Sequence, residues 1–205
     1  MTDSKSIAQP QIGIMFDIES LDLGPRSLTT QIAMYGFDME TEELLPDPLH
    51  IYLPMQAQLD LIPARTISAD TFVWWMGQSD DARQAFEKNV SDSFEELPIL
   101  MRQLVRRFNK FTNNDQVEYE LIAKGPQFDI VNVESLLRDC GMTKPWKYDR
   151  VVDLRTLMRY AGMSNRTADL ETFQPDGFIP HRADWDAKFQ INLYFEAKRQ
   201  LRSRG

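Results

Sequence analysis

With a single cysteine, Cys140, the chain has no intramolecular disulfide framework and fits a reducing compartment. Nothing around Cys140 supplies the His or Asn pattern of a thiol nucleophile. Long apolar runs are missing too: none approaches the ~20 residues that cross a bilayer, and the polar start from Thr2 to Gln9 is no signal peptide. No membrane partner is expected, and the cytoplasm is the default location. Positive charge is scarce, 23 Lys and Arg against 31 Asp and Glu for a net charge of −8. That argues against sequence-independent coating of a nucleic acid, which needs a strongly basic face, and leaves open a protein that grips only a chain end. There is no Gly-rich phosphate loop to support NTP-driven work, no internal repeat and no low-complexity linker. At 205 residues one domain is the natural expectation, here a flexible tail over 1–10 and a single domain over 11–205.

The apolar pattern changes period along the chain. Residues 11–18 read as a strand, 28–38 as a second after the Gly24-Pro25 turn, and Leu49 to Leu53 as a third, an antiparallel meander by the short-connection rule. Met55 to Leu61 is helical in pattern. Ser68 or Asp70 can cap a turn carrying Phe72 to Met76, and Asp80 and Asp81 open a helix through Phe86. Ser93-Phe94-Glu95-Glu96 has capping-box spacing and begins a helix to about Phe111, with Pro98 awkwardly inside it. Val117 to Ala123 form a fourth strand, and a helix follows from Asp129 to about Cys140. Tyr148 to Leu154 form a fifth strand and Arg155 to Ala161 a short helix. Residues 162–180 are irregular, and a helix from about Ala183 to Arg202 closes the chain. The architecture implied is α/β, a mixed five-stranded sheet, antiparallel over its first three strands, with helices on both sides.

Within this frame the acids stand out. The run Gly13 to Ile18 ends in Asp17-Ile18-Glu19. Residues i and i+2 of a strand share a face, so both carboxylates can converge on one point; a strand running into a charged turn is the plainer alternative. Asp129 follows a strand and a Gly-Pro turn at the entry of a helix, where an N-cap is the plainer role. His181, one of two histidines, leaves a Gly/Pro-containing loop, and Asp186 stands one and a half helical turns on. In one regular helix the two would not share a face. They meet if His181 lies in the loop and Asp186 in the first turns of the helix.

Asp-x-Glu at a strand end, Phe-Asp after a Gly-containing turn, and His-x4-Asp near the C-terminus occur here in order. Together they resemble the DEDDh (DnaQ-like) 3′→5′ exonucleases of the ribonuclease H fold. Thr71-Phe72-Val73-Trp74-Trp75 with Gln78 and Ala82-Arg83, and Asp153-Leu154-Arg155-Thr156 after Pro145-Trp146, are similar to a branch of stand-alone exoribonucleases and exodeoxyribonucleases. The resemblance spans roughly residues 11–200. Lys124-Gly125-Pro126-Gln127 departs from it, since relatives often carry Asn-Gly and a small residue there.

The resemblance implies that Asp17, Glu19, Asp129 and Asp186 hold two divalent cations. An all-oxygen set selects Mg²⁺ or Mn²⁺ over zinc, which wants His or Cys. His181, with an ordinary pKa of about 6.5, suits a general base near neutral pH rather than a ligand. The implied reaction removes nucleoside 5′-monophosphates from the 3′ end of RNA or DNA, as single strands or overhangs. Trp74 and Trp75 point about 100° apart on a helix: either both pack in the core, or one packs while the other stacks on a terminal base. Phe128, beside Asp129, and Leu21, beyond Glu19, are candidates to sandwich that base, and Gln78 is a further nucleotide-contact candidate. Arg155 either pairs structurally or contacts a phosphate. Arg102, Arg106, Arg107 and Lys110 on one helix, and Lys198, Arg199, Arg202 and Arg204 on the last, read as solvated faces or as guides for the backbone. His50 reads as structural or exposed. The choice between RNA and DNA stays open, as does a homodimer. Competing readings are a non-catalytic end-binding module, disfavoured by the intact acids and His181, and a polymerase-associated proofreading subunit.

Overall fold

The computed structural model describes residues 11–88 and 96–204. The expected tail over 1–10 and the capping box at Ser93, Phe94 and Glu95 lie outside the described residues. Five strands form one sheet in the order β3-β2-β1-β4-β5: β1 (Ile12–Ser20), β2 (Thr29–Asp38), β3 (Leu49–Tyr52), β4 (Tyr119–Ala123) and β5 (Val151–Asp153). β2 is antiparallel to both β1 and β3, whereas β4 runs parallel to β1, and β5 parallel to β4. This is the mixed sheet expected of a ribonuclease H-like fold.

Because β1 is paired on both edges and covered on both faces, its residues are apolar almost without interruption until Asp17. Its two faces serve two cores. Ile14, Phe16 and Ile18 pack beneath α4 (Glu96–Phe111) and α5 (Asp129–Asp139), while Met15 packs beneath α6 (Leu154–Tyr160) and α7 (Ala183–Ser203). On α4 the buried set Leu97, Met101, Leu104, Phe108 and Phe111 recurs at helical spacing and forms one stripe; Pro98 falls in its first described turn. Gly13 is glycine for a steric reason, since a Cβ there would lie 2.1 Å from the Phe37 ring. Three short helices, α1 (Met55–Leu59), α2 (Ala69–Met76) and α3 (Asp80–Lys88), follow β3. Ser68, not Asp70, caps α2, its side chain accepting from the Thr71 N–H. No helix among the described residues is long and apolar enough to cross a membrane.

The fifth strand is shorter than expected. Tyr148–Arg150 form a 3₁₀ turn, and Asp153 caps α6 by accepting from the Arg155 N–H, which ends the strand at Asp153. β4 begins at Tyr119 rather than Val117, and the irregular stretch contains a 3₁₀ helix over Thr167–Phe173. The carboxyl ends of β1, β4 and β5 open toward one edge, with β1 lying between an antiparallel and a parallel neighbour. Open α/β sheets place ligands at such a switch in strand direction.

Candidate active site at the carboxyl ends of the strands

Asp17 and Glu19 leave β1 on the same face as Met15, toward α7. Opposite β2 the pairing slips by one residue between Glu19 and Ser20, a bulge of the kind that re-aims side chains beside sites. Asp186 comes from the first turn of α7. Asp129 is the first residue of α5, not its N-cap; Phe128 holds the cap position. His181 precedes α7 in the left-handed region at φ 61°, a conformation costing a non-glycine residue of order 1–3 kcal/mol. Its backbone N–H donates to Asp186 Oδ2 at 2.8 Å, so the carboxylate that faces the site also holds the loop. A His181 ring nitrogen and carboxylate oxygens of Glu19 and Asp186 all lie within 4.8 Å of one another.

Electrostatics ties Asp17 and Asp129 to the same point. Burial first, then the charges of Asp186, Glu19 and Asp129, push Asp17 well above the ordinary carboxylate range. Glu19 is raised by burial, Asp186 and Asp129. Burial carries Asp129 up to about 7, with the Ile18 backbone amide and Arg155 acting against it, and lifts Asp186 to about 6, opposed by the His181 N–H. Gln190 Nε2 donates to Asp17 Oδ1 at 2.6 Å, but Asp17 Oδ2 is buried with no partner among the described residues. Desolvated carboxylates that repel one another, one with an orphaned oxygen, are satisfied by protons or by a cation. All-oxygen donors of this kind fit a hard divalent ion.

Beside the acids lies a cleft of about 570 Å³ walled by Glu19, Leu23, Trp74, Phe128, Arg155 and His181, among others, within the size range of small-ligand sites. The two tryptophans divide their roles. Trp75 is 1% exposed and its Nε1 donates to the Ser20 carbonyl; Trp74 is 46% exposed and packs edge-on against the His181 ring at 4.7 Å between centroids. Leu21 does not reach the cleft. Its N–H pairs with the Leu28 carbonyl and its side chain packs with Leu28, Trp75 and Ala82; exposed Leu23 takes the wall instead. Gln78 folds back so that Nε2 donates to the Trp74 carbonyl and is not part of that wall.

Of two further residues at the acids, Gln190 escaped the sequence reading and Lys124 entered it only within the departure from the family pattern. Gln190 stands one helical turn after Asp186, so i, i+4 spacing would have found it. Lys124 lies two residues beyond Ile122, which strand alternation places on the face of Asp17. Three of the eight basic residues on α4 and α7 are engaged elsewhere: Arg107 and Lys110 pair with Asp47, and Arg199 with Glu42 and Glu196. His50 is half-buried, hydrogen-bonded to Gln31 and near Asp184.

A mixed sheet of this order is a ribonuclease H-like fold, here with an acidic cluster at its carboxyl edge. Among solved structures the chain is similar to cell-death related nuclease 4 (14% identity, TM-score 0.57, 94% of this chain and 64% of that one). It is also similar to the E. coli Exonuclease I in complex with a dA16 oligonucleotide (15%, TM-score 0.63, 94% and 42%). A third is the nuclease domain of 3′hExo, described as a DEDDh family member and bound to rAMP (15%, TM-score 0.54, 98% and 95%). The chain thus spans under two thirds of the first two of these proteins. No curated protein matches it in sequence. The family model of the 3′-5′ exoribonuclease Rv2179c-like domain matches residues 13–197, and the chain belongs to that family.

Proposed function

We infer that this chain is a 3′→5′ exonuclease that hydrolyses the terminal phosphodiester of a nucleic acid and releases nucleoside 5′-monophosphates. The observation that carries this reading is the meeting of Glu19, Asp186 and His181 within 4.8 Å at the edge of a nucleotide-sized cleft, with the desolvated carboxylates of Asp17 and Asp129 beside them. Asp17, Glu19, Asp129 and Asp186 are the residues that would hold two divalent cations, Mg²⁺ or Mn²⁺. Bound there, such ions would supply the activation of a water and the neutralisation of charge on the phosphate and the departing 3′-oxygen. In the bond change itself, the water oxygen bonds to phosphorus while the bond to the 3′-oxygen of the preceding nucleotide breaks.

His181 takes the proton of the attacking water on a ring nitrogen. Burial lowers its pKa below 6.5, so the imidazole is neutral and able to accept near pH 7. Trp74 offers an exposed ring to the terminal base, with Phe128 and Leu23 on the other walls of the cleft. Arg155 stands where it can meet a phosphate and also opposes the negative charge of the cluster. Gln190 fixes the Asp17 carboxylate so that one oxygen stays free. The family description favours RNA as substrate.

The test is incubation with end-labelled single- and double-stranded RNA and DNA in Mg²⁺, Mn²⁺ or EDTA. Stepwise shortening from the 3′ end, abolished by EDTA and by Asp17→Ala, is the expected result. An absence of hydrolysis on every substrate would replace this reading with a non-catalytic end-binding module.

A further inference from the structure

Lys124 stands at the acidic cluster without a part in the scheme above. β4 runs parallel to β1 with Ile122 opposite Met15, and both side chains pack in the core beneath α7. Lys124 stands in the bend just past β4, two residues beyond Ile122 and toward the face of Asp17. Lys124 is half-buried there, with Nζ 5.7 Å from the centroid of the Phe189 ring, three residues after Asp186 on α7. It interacts with Arg155, Asp186 and Asp17, and burial together with Arg155 holds its pKa down. Among the described residues it closes no ion pair. Arg155 approaches from the other side of the same turn, its Nη1 3.1 Å from where a Gly125 side chain would begin. Two cationic groups therefore flank the Gly125 turn beside carboxylates that neither fully neutralises.

A lysine docked near carboxylates but not on them has opposite effects on two classes of ligand. It repels a divalent cation from the bare cluster, and it attracts an anion that the bound cation also attracts. Resting on the exonuclease reading, we propose that Lys124 is a phosphate-binding residue of this site. Its ammonium donates to a non-bridging oxygen of the terminal nucleotide's phosphate, and its charge weakens cation binding until that phosphate is present. Cation and nucleotide thereby bind cooperatively, and the site is loaded fully only with a chain end in place.

The experiment is calorimetric titration of wild type, Lys124→Met, Lys124→Gln and Lys124→Arg. Each is titrated first with Mn²⁺ alone and then with adenosine 5′-monophosphate at saturating Mn²⁺, with a melting curve for each variant. Loss of the charge in the Met and Gln variants is expected to tighten Mn²⁺ binding about tenfold and weaken the nucleotide about tenfold. Lys124→Arg stays near wild type in both, and melting temperatures change little. A lysine that only packs against Phe189 gives a different signature, both affinities falling together or neither moving. That result, or movement of only one affinity, overturns the proposal while leaving the exonuclease reading intact. Failure of wild type to bind Mn²⁺ at all removes that reading, and the proposal with it.

Discussion

At His181 a left-handed backbone and a half-buried imidazole coincide, and both depend on neighbours: the Asp186 carboxylate accepts its N–H, and Trp74 lies edge-on to its ring. Removing the imidazole leaves the backbone hydrogen bond in place. His181→Ala is therefore expected to lower kcat by roughly 10²–10⁴-fold while Mn²⁺ affinity stays within a few-fold, read by single-turnover kinetics and calorimetry. A collapse of Mn²⁺ affinity would make the imidazole a ligand, in keeping with its place within 4.8 Å of the Glu19 and Asp186 oxygens. Because burial lowers its pKa, kcat is expected to rise with pH with a midpoint below the ordinary 6.5, as the imidazole loses its proton. The neighbouring tryptophans separate cleanly by environment. Trp75→Ala empties a buried site bonded to Ser20 and is expected to cost about 3–5 kcal/mol of stability. Trp74→Ala removes a half-exposed ring and is expected instead to raise KM roughly 5- to 150-fold, the equivalent of about 1–3 kcal/mol of stacking. Urea melts and initial rates on a short oligonucleotide distinguish the two.

At the scale of elements, a buried polar network locks the segment after β1 to α5. Arg65 is 2% exposed; its Nε donates to the Ser27 carbonyl, and its Nη1 to Ser135 Oγ and to Asp139 Oδ2, the last at 2.8 Å. Asn132 receives Ser27 on one side and caps the Gly24 carbonyl on the other. The network joins the loop beyond Glu19 to the helix that begins with Asp129, beside the short parallel bridge between Ser27 and Thr66. Breaking a buried pair from one side strands the remaining polar groups. Arg65→Met is expected to lose about 3–5 kcal/mol in chemical denaturation, with a fall in nuclease activity that tracks the loss of loop order. Arg26, which also pairs with Asp139, keeps that carboxylate from being left wholly alone, so the lower end of the range is the expectation.

For the whole molecule, the acidic cluster is expected to couple folding to pH and to divalent cations. Asp129 at about 7 and Asp186 at about 6 bind protons more tightly than the unfolded chain, whose carboxylates sit near 3.8. A raised carboxylate contributes stability that is complete below the unfolded value and is lost as pH rises through the folded one. Cation-free protein is thus expected to melt several degrees lower at pH 8 than at pH 5.5, and Mg²⁺ or Mn²⁺ at pH 8 should recover the difference by binding the ionised folded form. Asp129→Asn should flatten the trend. Asp22, Asp38 and Asp47, held low by hydrogen bonds or by Lys110, act only below the ordinary carboxylate value, outside this window. A melting temperature that climbs between pH 5.5 and 8 in EDTA would count against a charged, desolvated cluster.

Local rules made much of this legible in the chain itself. Alternation put Asp17 and Glu19 on one face, and the change from strand to helical period placed α4, α5 and α7 within a few residues of where they fold. Spacing made the meeting of His181 and Asp186 conditional on a loop-then-helix setting, because one regular helix would have turned them apart, and the chain folds with that setting. Other outcomes rested on packing between segments remote in sequence. Which tryptophan is buried, the turning of Leu21 into a small core and of Leu23 into the cleft, and the folding of Gln78 onto the Trp74 carbonyl all depend on neighbours that periodicity does not name. So does the desolvation of the carboxylates, since burial by α5 and α7 sets their proton affinity. A sequence carries the faces of its elements; which faces meet, and how dry the space between them becomes, is decided when the elements pack.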